Sequence, residues 1–442
     1  MKKIFIPIMV VMIVLICILC VNLKGGDKSS DVSITYNEEE IEWNDEEVYE
    51  LNLSSSTTIS KNGTYYVTGT IKDGMLTIDT DGYVKLILDN VSITNSNGPA
   101  IYILNSKGTY VELKNKNNLI GGNSELDGVI YSKDDLTIEG DGYLEVTANQ
   151  DGIVSCDNLI INSGNITVNA KGDGMKGRDS VVINDGSITI NSEGDGIKST
   201  NDTDTDKGYI LINGGNISIN SNLDGIEAET KLVINDGVFK IKTSSSSDSS
   251  KGLKANDIEL NGGTYNINSV DDGIHANGDI TINNGTYSIV SRDDGIHADG
   301  LIELNNGEFN IEALEGIEAT YVKINGGKIN INASDDGINA GNKSNDYNVA
   351  IEINGGDITI KMGSGDTDGI DSNGDLYING GNIDITGNSP FDYDGKSEYN
   401  GGNIIVNGTK TNMITNQMMG GMKGDVQGMP NSNMNRGGRY MR

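Results

Sequence analysis

Several residue types are scarce in this chain, and each scarcity narrows what it can be. There are 442 residues but only 3 Cys. Cys17 and Cys20 fall inside an apolar run and Cys156 stands alone, which excludes a disulfide framework and a C-x-x-C zinc site. Basic residues are outnumbered, with 32 Lys and Arg against 64 Asp and Glu and a net charge of -32. Such a surface repels phosphate chains, so a nucleic-acid binder that works by counterion release is ruled out. With 1 Trp and 4 Phe, the core must be aliphatic. The 4 Pro all lie outside the regular repeats described below. What is abundant is Gly, 59 copies, in a chain whose 36% hydrophobic content is ample for a large core and excludes disorder along its whole length.

Lys2 and Lys3 precede an unbroken apolar run from Ile4 to Val21, which would rise about 27 Å as a helix, close to the hydrocarbon thickness of a bilayer. Residues 1–24 therefore read as a signal or anchor segment. Positive charge before the run and an acidic body after it place the body outside, extracellular and at the cell surface. Whether the segment is cleaved, lipidated at Cys20 or retained is left open by the sequence. Residues 25–50 read as an acidic linker, and residues 411–442, rich in Met and Gly, as a disordered tail.

Between them the chain repeats. The tripeptide N-[GDN]-G recurs with its last glycine at Gly215, Gly237, Gly263, Gly285, Gly307, Gly327, Gly356 and Gly381, and D-G-I or a variant follows in the same rhythm. The steps cluster near 22 residues, the mark of a solenoid. Within each period apolar residues alternate with period two, as in Tyr265 with Ile267 and Tyr287 with Ile289. Alternation of this kind predicts strand. Further strands precede the Asn mark and follow the Asp-Gly mark, so the fold expected for residues 51–410 is all-β: a right-handed parallel β-helix of three-strand coils. Residues 51–127 read as less regular opening coils.

Stacking then assigns roles. The recurring Asn is read as a ladder that fixes a turn, because Asn tolerates left-handed backbone and its amide can bond the same amide one coil away. Phe239, Tyr265, Tyr287 and Phe309 are read as stacked core, and no aromatic residue is found outside. Aspartates at one position of successive coils would lie about 4.8 Å apart, a spacing at which like charges raise each other's pKa or demand a cation. The candidate metal ligands are Asp173, Asp195, Asp224, Asp271, Asp272, Asp293, Asp294, Asp335 and Asp336, and calcium is the expected ion. Aspartates that merely stabilise the turn and stay solvated are the alternative. Two residues past the Asp-Gly glycine runs an outward strip whose candidate ligand-binding residues are Lys176, Lys198, Lys254, His275, His297, Glu318 and Asn339. A strip repeated each coil suits an extended polymer.

The opening coils carry a more specific signal. The runs Asn62-Gly63-Thr64-Tyr65-Tyr66-Val67-Thr68-Gly69-Thr70, Val84-Lys85-Leu86-Ile87-Leu88-Asp89-Asn90-Val91-Ser92-Ile93-Thr94-Asn95 and Ala100-Ile101-Tyr102-Ile103, followed by the D-G-I and N-G-G coils, resemble the bacterial carbohydrate-binding domain family. That resemblance covers residues 50–408 or so and implies a right-handed parallel β-helix similar to that of pectate lyases. It also implies bound calcium and non-catalytic, surface-attached binding of plant cell-wall polysaccharide, either cellulose or acidic pectin-like chains. A calcium-dependent polysaccharide lyase is the alternative, which would need a basic side chain beside the ion to remove a proton. The only body arginines, Arg178 and Arg292, lie at different places in their coils, and nothing singles out one lysine. A surface adhesin without a sugar ligand is the third reading. A monomer is expected, with membrane contact through the N-terminal segment alone.

Overall fold

In the computed structural model the described residues are 48–122, 124–245, 250–363 and 367–416. The expected signal or anchor segment, most of the linker, and the tail beyond residue 416 lie outside them. All regular structure among the described residues is β, stacked in about 16 coils roughly 22 residues apart.

Each coil contributes one strand to each of three parallel sheets. Thr264–Asn268, Thr286–Val290 and Glu308–Ala313 are consecutive rungs of the first sheet, the one that follows the Asn mark. Leu253–Ala255, Ile274–Ala276 and the start of Ile296–Leu304 are rungs of the second, which follows the Asp-Gly turn. Asp257–Leu260, Ile280–Ile282 and the end of Ile296–Leu304 belong to the third. Identical positions face each other from coil to coil, so period-two alternation becomes straight columns of apolar side chains inside and polar ones outside. The columns of Ile, Leu and Val are buried to within a few percent along the length of the stack.

One interior column is aromatic. Phe239, Tyr265, Tyr287 and Phe309 stack at centroid separations of 4.8, 4.6 and 4.7 Å with interplanar angles of 7°, 6° and 5°. The rungs dictate this geometry, because parallel in-register strands repeat at about 4.8 Å and hold the rings face to face where isolated rings would offset. Tyr265 and Tyr287 donate their hydroxyl hydrogens to the carbonyls of Gly262 and Asn284, both at 2.8 Å.

The Asn ladder runs from Asn162 to Asn400. Each side-chain amide donates to the amide oxygen of the equivalent Asn one coil earlier, at 2.7–3.0 Å, through Asn184, Asn213, Asn235, Asn261, Asn283, Asn305, Asn325, Asn354 and Asn379. The left-handed backbone expected of these Asn falls elsewhere. It belongs to the third residue of the mark, as at Gly263 with φ +99° and Gly285 with φ +133°. Such angles are open to Gly at little cost. In two of the opening coils Asn takes over that duty, at Asn90 and Asn115: Tyr83–Asn95 turns the corner from the third sheet to the first at Asn90, φ +55°. At the far end Thr409–Thr411 folds back antiparallel on Asn403–Val406.

Candidate functional site

The Asp-Gly turn is built by two local requirements. Glycine is needed for space, since a Cβ on Gly273 would sit 2.4 Å from a methyl of Ile289 and 2.5 Å from the carbonyl oxygen of Gly295. Aspartate is needed to satisfy backbone. Oδ1 of Asp151, Asp173, Asp195, Asp224, Asp272 and Asp336 each accepts the N–H of the equivalent residue one coil on, at 2.7–3.1 Å. One oxygen of each carboxylate is thus committed to the fold.

The other oxygen is aimed at the outward strip. Asp195 Oδ2 lies 2.7 Å from Lys198, Asp272 Oδ2 is 2.8 Å from His275 Nδ1, and Asp294 Oδ2 is 2.7 Å from His297 Nδ1, each three residues ahead. The aspartate row and the strip, read from the sequence as two features, form one network. The strip is a continuous in-register column of Lys176, Lys198, Glu227, Lys254, His275, His297, Glu318, Asn339 and Asp371. Its side chains point away from the core but are half-buried among one another.

Charge changes sign along this column. At the N-terminal end each lysine lies between acids. Lys176 pairs with Asp151 and with Asp127 at 3.0 Å, Lys198 bridges Asp195 to Glu227 at 2.6 Å, and Lys254 joins Glu227 at 2.6 Å and Asp224 at 3.3 Å. Lys251 occupies the row position where other coils carry Asp and pairs with Asp271. Here protein ammonium groups stand against the acids Asp195, Asp224 and Asp271. Burial opposes the charge on Glu227, but its two lysines outweigh that and hold its carboxyl down at about 2.

Acids without such company dominate the other end. Burial, with Asp336, Asp368, Asp392 and Asp394 adding repulsion, pushes Asp371 up to about 7. Burial likewise raises Asp336 to about 6, with Asp335, Asp368 and Glu318 adding to it, and Glu315 to about 8, chiefly with Glu318. Asn339 lies within this group. Its amide nitrogen donates to Glu315 at 2.9 Å and to Glu318 at 3.2 Å, in the coils before it. Its oxygen, on a residue 9% exposed, has no hydrogen-bond partner among the described residues. Asn339 is in register with Glu318 on one side of the column and Asp371 on the other.

Between the two ends sit the histidines, their rings stacked at 4.7 Å. Three groups of ligand atoms lie within 4.8 Å of one another around this part of the column: Asp272, His275 and His297; Asp294, His297 and Glu318; and Asp271, Asp272 and Asp293. A fourth comprises Asp195, Asp224 and Glu227. Asp173, Asp335 and Asp336 enter none of these groups.

The expectation that no aromatic lies outside is corrected by the structure. Tyr102 and Tyr131 continue the outward column past Val154, with centroids 6.1 Å apart and planes tilted by 57°, and Tyr143 is 60% exposed on the first sheet. The opening coils lack the D-G-I mark, and without it no register places these tyrosines on the strip. The sequence also passed over a groove of about 400 Å³. A second amide ladder lines it, Asn220 to Asn191 at 3.1 Å and Asn191 to Asn169 at 2.9 Å, above Ala148 and Ala170.

A parallel β-solenoid with a long polar column offers an extended, regularly repeating surface of the kind solenoid proteins use for binding. Comparison with known proteins agrees in class: a family model described as carbohydrate-binding domain-containing protein matches residues 54–295 and 291–416, and this chain belongs to that family. A relative from Acetivibrio thermocellus, likewise called a carbohydrate-binding domain-containing protein, is 34% identical over 120 residues, covering 24% of this chain and 42% of its own. The match thus spans less than half of that relative. A solved structure, the polysaccharide lyase-like protein from C. thermocellum in a gadolinium derivative, is 30% identical with a TM-score of 0.41, over 50% of this chain and 92% of the other.

Proposed function

We propose that this protein is a non-catalytic module of the cell surface that holds an acidic, pectin-like polysaccharide along the second-sheet column, with calcium as the bridge. The observation that carries the reading is the orphaned oxygen of Asn339, in register with Asp371, among carboxyls that burial and mutual repulsion raise at Asp371, Asp336 and Glu315. The donors fit the ion: calcium takes oxygen ligands from carboxylates and amide carbonyls, and Asp336, Asp371 and Asn339 supply those. Once held there, a hard cation keeps affinity for a further carboxylate, which a uronate chain would bring. Family membership supports a carbohydrate as the ligand. The N-terminal segment 4–21 supports export and anchoring.

Binding is favoured over cleavage by the state of the lysines. Burial alone would lower Lys176, Lys198 and Lys254, but their carboxylate partners outweigh it and hold all three above the ordinary lysine value. A lysine kept charged is a poor proton abstractor. Affinity electrophoresis in polygalacturonate tests the reading: retardation that needs calcium and is lost in Asp336→Asn/Asp371→Asn is expected, and migration indifferent to calcium would reject it.

The groove above Ala148 and Ala170 supports a second reading, a neutral chain such as cellulose. Its amide ladder of Asn169, Asn191 and Asn220 is uncharged and offers donors and acceptors at successive coils, with Lys171 and Glu193 also lining the groove. Pull-down on insoluble cellulose, unchanged by chelator and weakened by Asn191→Ala, is its expected signature.

A further inference from the structure

We infer that the middle of the column is a site for a borderline divalent transition metal, zinc being the probe, held by His297 with Asp294 and Glu318 and backed by Asp272 and His275. This stands apart from the calcium reading and does not depend on sugar binding.

The argument begins at one nitrogen. His297 Nδ1 lies 2.7 Å from Asp294 Oδ2 and 2.9 Å from Glu318 Oε2. A ring nitrogen carries at most one hydrogen, so a proton there serves one carboxylate well and leaves the other facing it poorly satisfied. A doubly charged ion placed between the three atoms serves both. Tetrahedral zinc with bonds of about 2.0–2.1 Å sets its donors about 3.3 Å apart, so the two oxygens need to withdraw by only about 0.5 Å. Carboxylate side-chain rotation accommodates such a movement.

The surroundings are arranged as the outer groups of a metal site are. His297 Nε2 points to Asp299 Oδ1 at 3.5 Å, and His275 Nε2 to Asn277 Oδ1 at 3.2 Å. Both outer nitrogens face oxygen acceptors, which can keep hydrogen on Nε2 when a metal ion replaces the proton on Nδ1. Lys343 holds the other oxygen of Glu318 at 2.7 Å, and the backbone N–H of Asp294 holds Asp272 Oδ1 at 3.1 Å. Each fixes a carboxylate with its remaining oxygen turned to an imidazole. The ligand atoms of Asp272 and His275 lie within 4.8 Å of one another and of His297, so they border the site and back it rather than complete one ion's shell. Imidazole nitrogen selects zinc, copper or nickel over calcium, which prefers all-oxygen shells.

The test uses the full chain, stripped with chelator and titrated with zinc chloride by calorimetry, alongside His297→Ala and an exposed first-sheet control, Lys240→Ala. Binding near one equivalent, weakened 100-fold or more by His297→Ala and unaltered by Lys240→Ala, is the expected result. Binding that His297→Ala leaves intact overturns the inference. Because that variant could unfold, imidazole nitrogen NMR of the unmodified protein gives an independent answer: the chain has only 2 His. Saturating zinc should shift the Nδ1 resonance of His297 to that of a metal-bound nitrogen, and histidine spectra unmoved by zinc refute the site.

Discussion

Asn339 and Asp371 are register partners in consecutive coils, and the amide oxygen of the first is buried without a hydrogen-bond donor among the described residues. An undonated buried oxygen next in the column to a carboxylate that burial and neighbouring acids disfavour is an arrangement that either a proton or a cation relieves. The predictions begin from that pair.

Calcium is expected to stabilise the protein at pH 8. An ion at 100 times its dissociation constant adds about 2.7 kcal/mol to the folded state. Melting followed by circular dichroism should rise by several degrees with calcium over chelator. In Asp371→Asn that gain should vanish, while the variant in chelator should melt slightly above wild type, because an amide removes a repelled buried charge.

Without calcium, stability should fall as pH rises. A carboxylate raised from 3.8 to about 7, as at Asp371, binds its proton more tightly in the folded chain. Its contribution is greatest below about 4 and is lost as pH passes through about 7. Asp336, Asp294 and Glu315 are raised as well. Burial alone would lower His297, but Asp294 and Glu318 outweigh it and raise the imidazole to about 10, so it too loses stabilisation on the alkaline side. All act in one direction between pH 5 and 8. A melting temperature in chelator that climbs across this window would contradict the arrangement.

The aromatic column separates packing from hydrogen bonding at one position. Tyr287→Phe loses the bond to the Asn284 carbonyl and should cost about 0.5–1.5 kcal/mol in urea unfolding. Tyr287→Ala opens a cavity between Tyr265 and Phe309 and should cost about 3–5 kcal/mol.

Asn283→Ala should break the amide ladder in mid-run. It removes the bond to Asn261 at 2.7 Å and the one from Asn305 at 2.9 Å, for an expected loss of about 1–3 kcal/mol. Amide exchange should quicken in the adjacent coils before it does at the ends.

The coil architecture was legible because repetition amplifies it: one period of alternating residues is ambiguous, whereas eight in register are not. Inward Tyr265 and the Asn row followed directly from that register. What escaped was whatever depends on side-chain reach. The sequence shows the recurring Asp-Gly pair only as a rhythm, and cannot show that Oδ1 of Asp195 is spent on the N–H of Asp224 while Oδ2 meets Lys198. Nor does it show that Lys251, at a position where Asp is the rule, supplies Asp271 with a counterion. Tyr102 and Tyr131 were hidden for another reason, lying in coils that lack the marks used to align the rest.

The antiparallel return of Thr409–Thr411 over Asn403–Val406 bears on how copies of the protein meet. A stack of parallel rungs ends in an edge that invites another of the same kind, and two such molecules could grow into a filament head to tail. A reversed strand offers the wrong polarity and spacing to the next parallel rung. On the first sheet, that short fold puts a strand of opposite direction where the next parallel rung would otherwise pair.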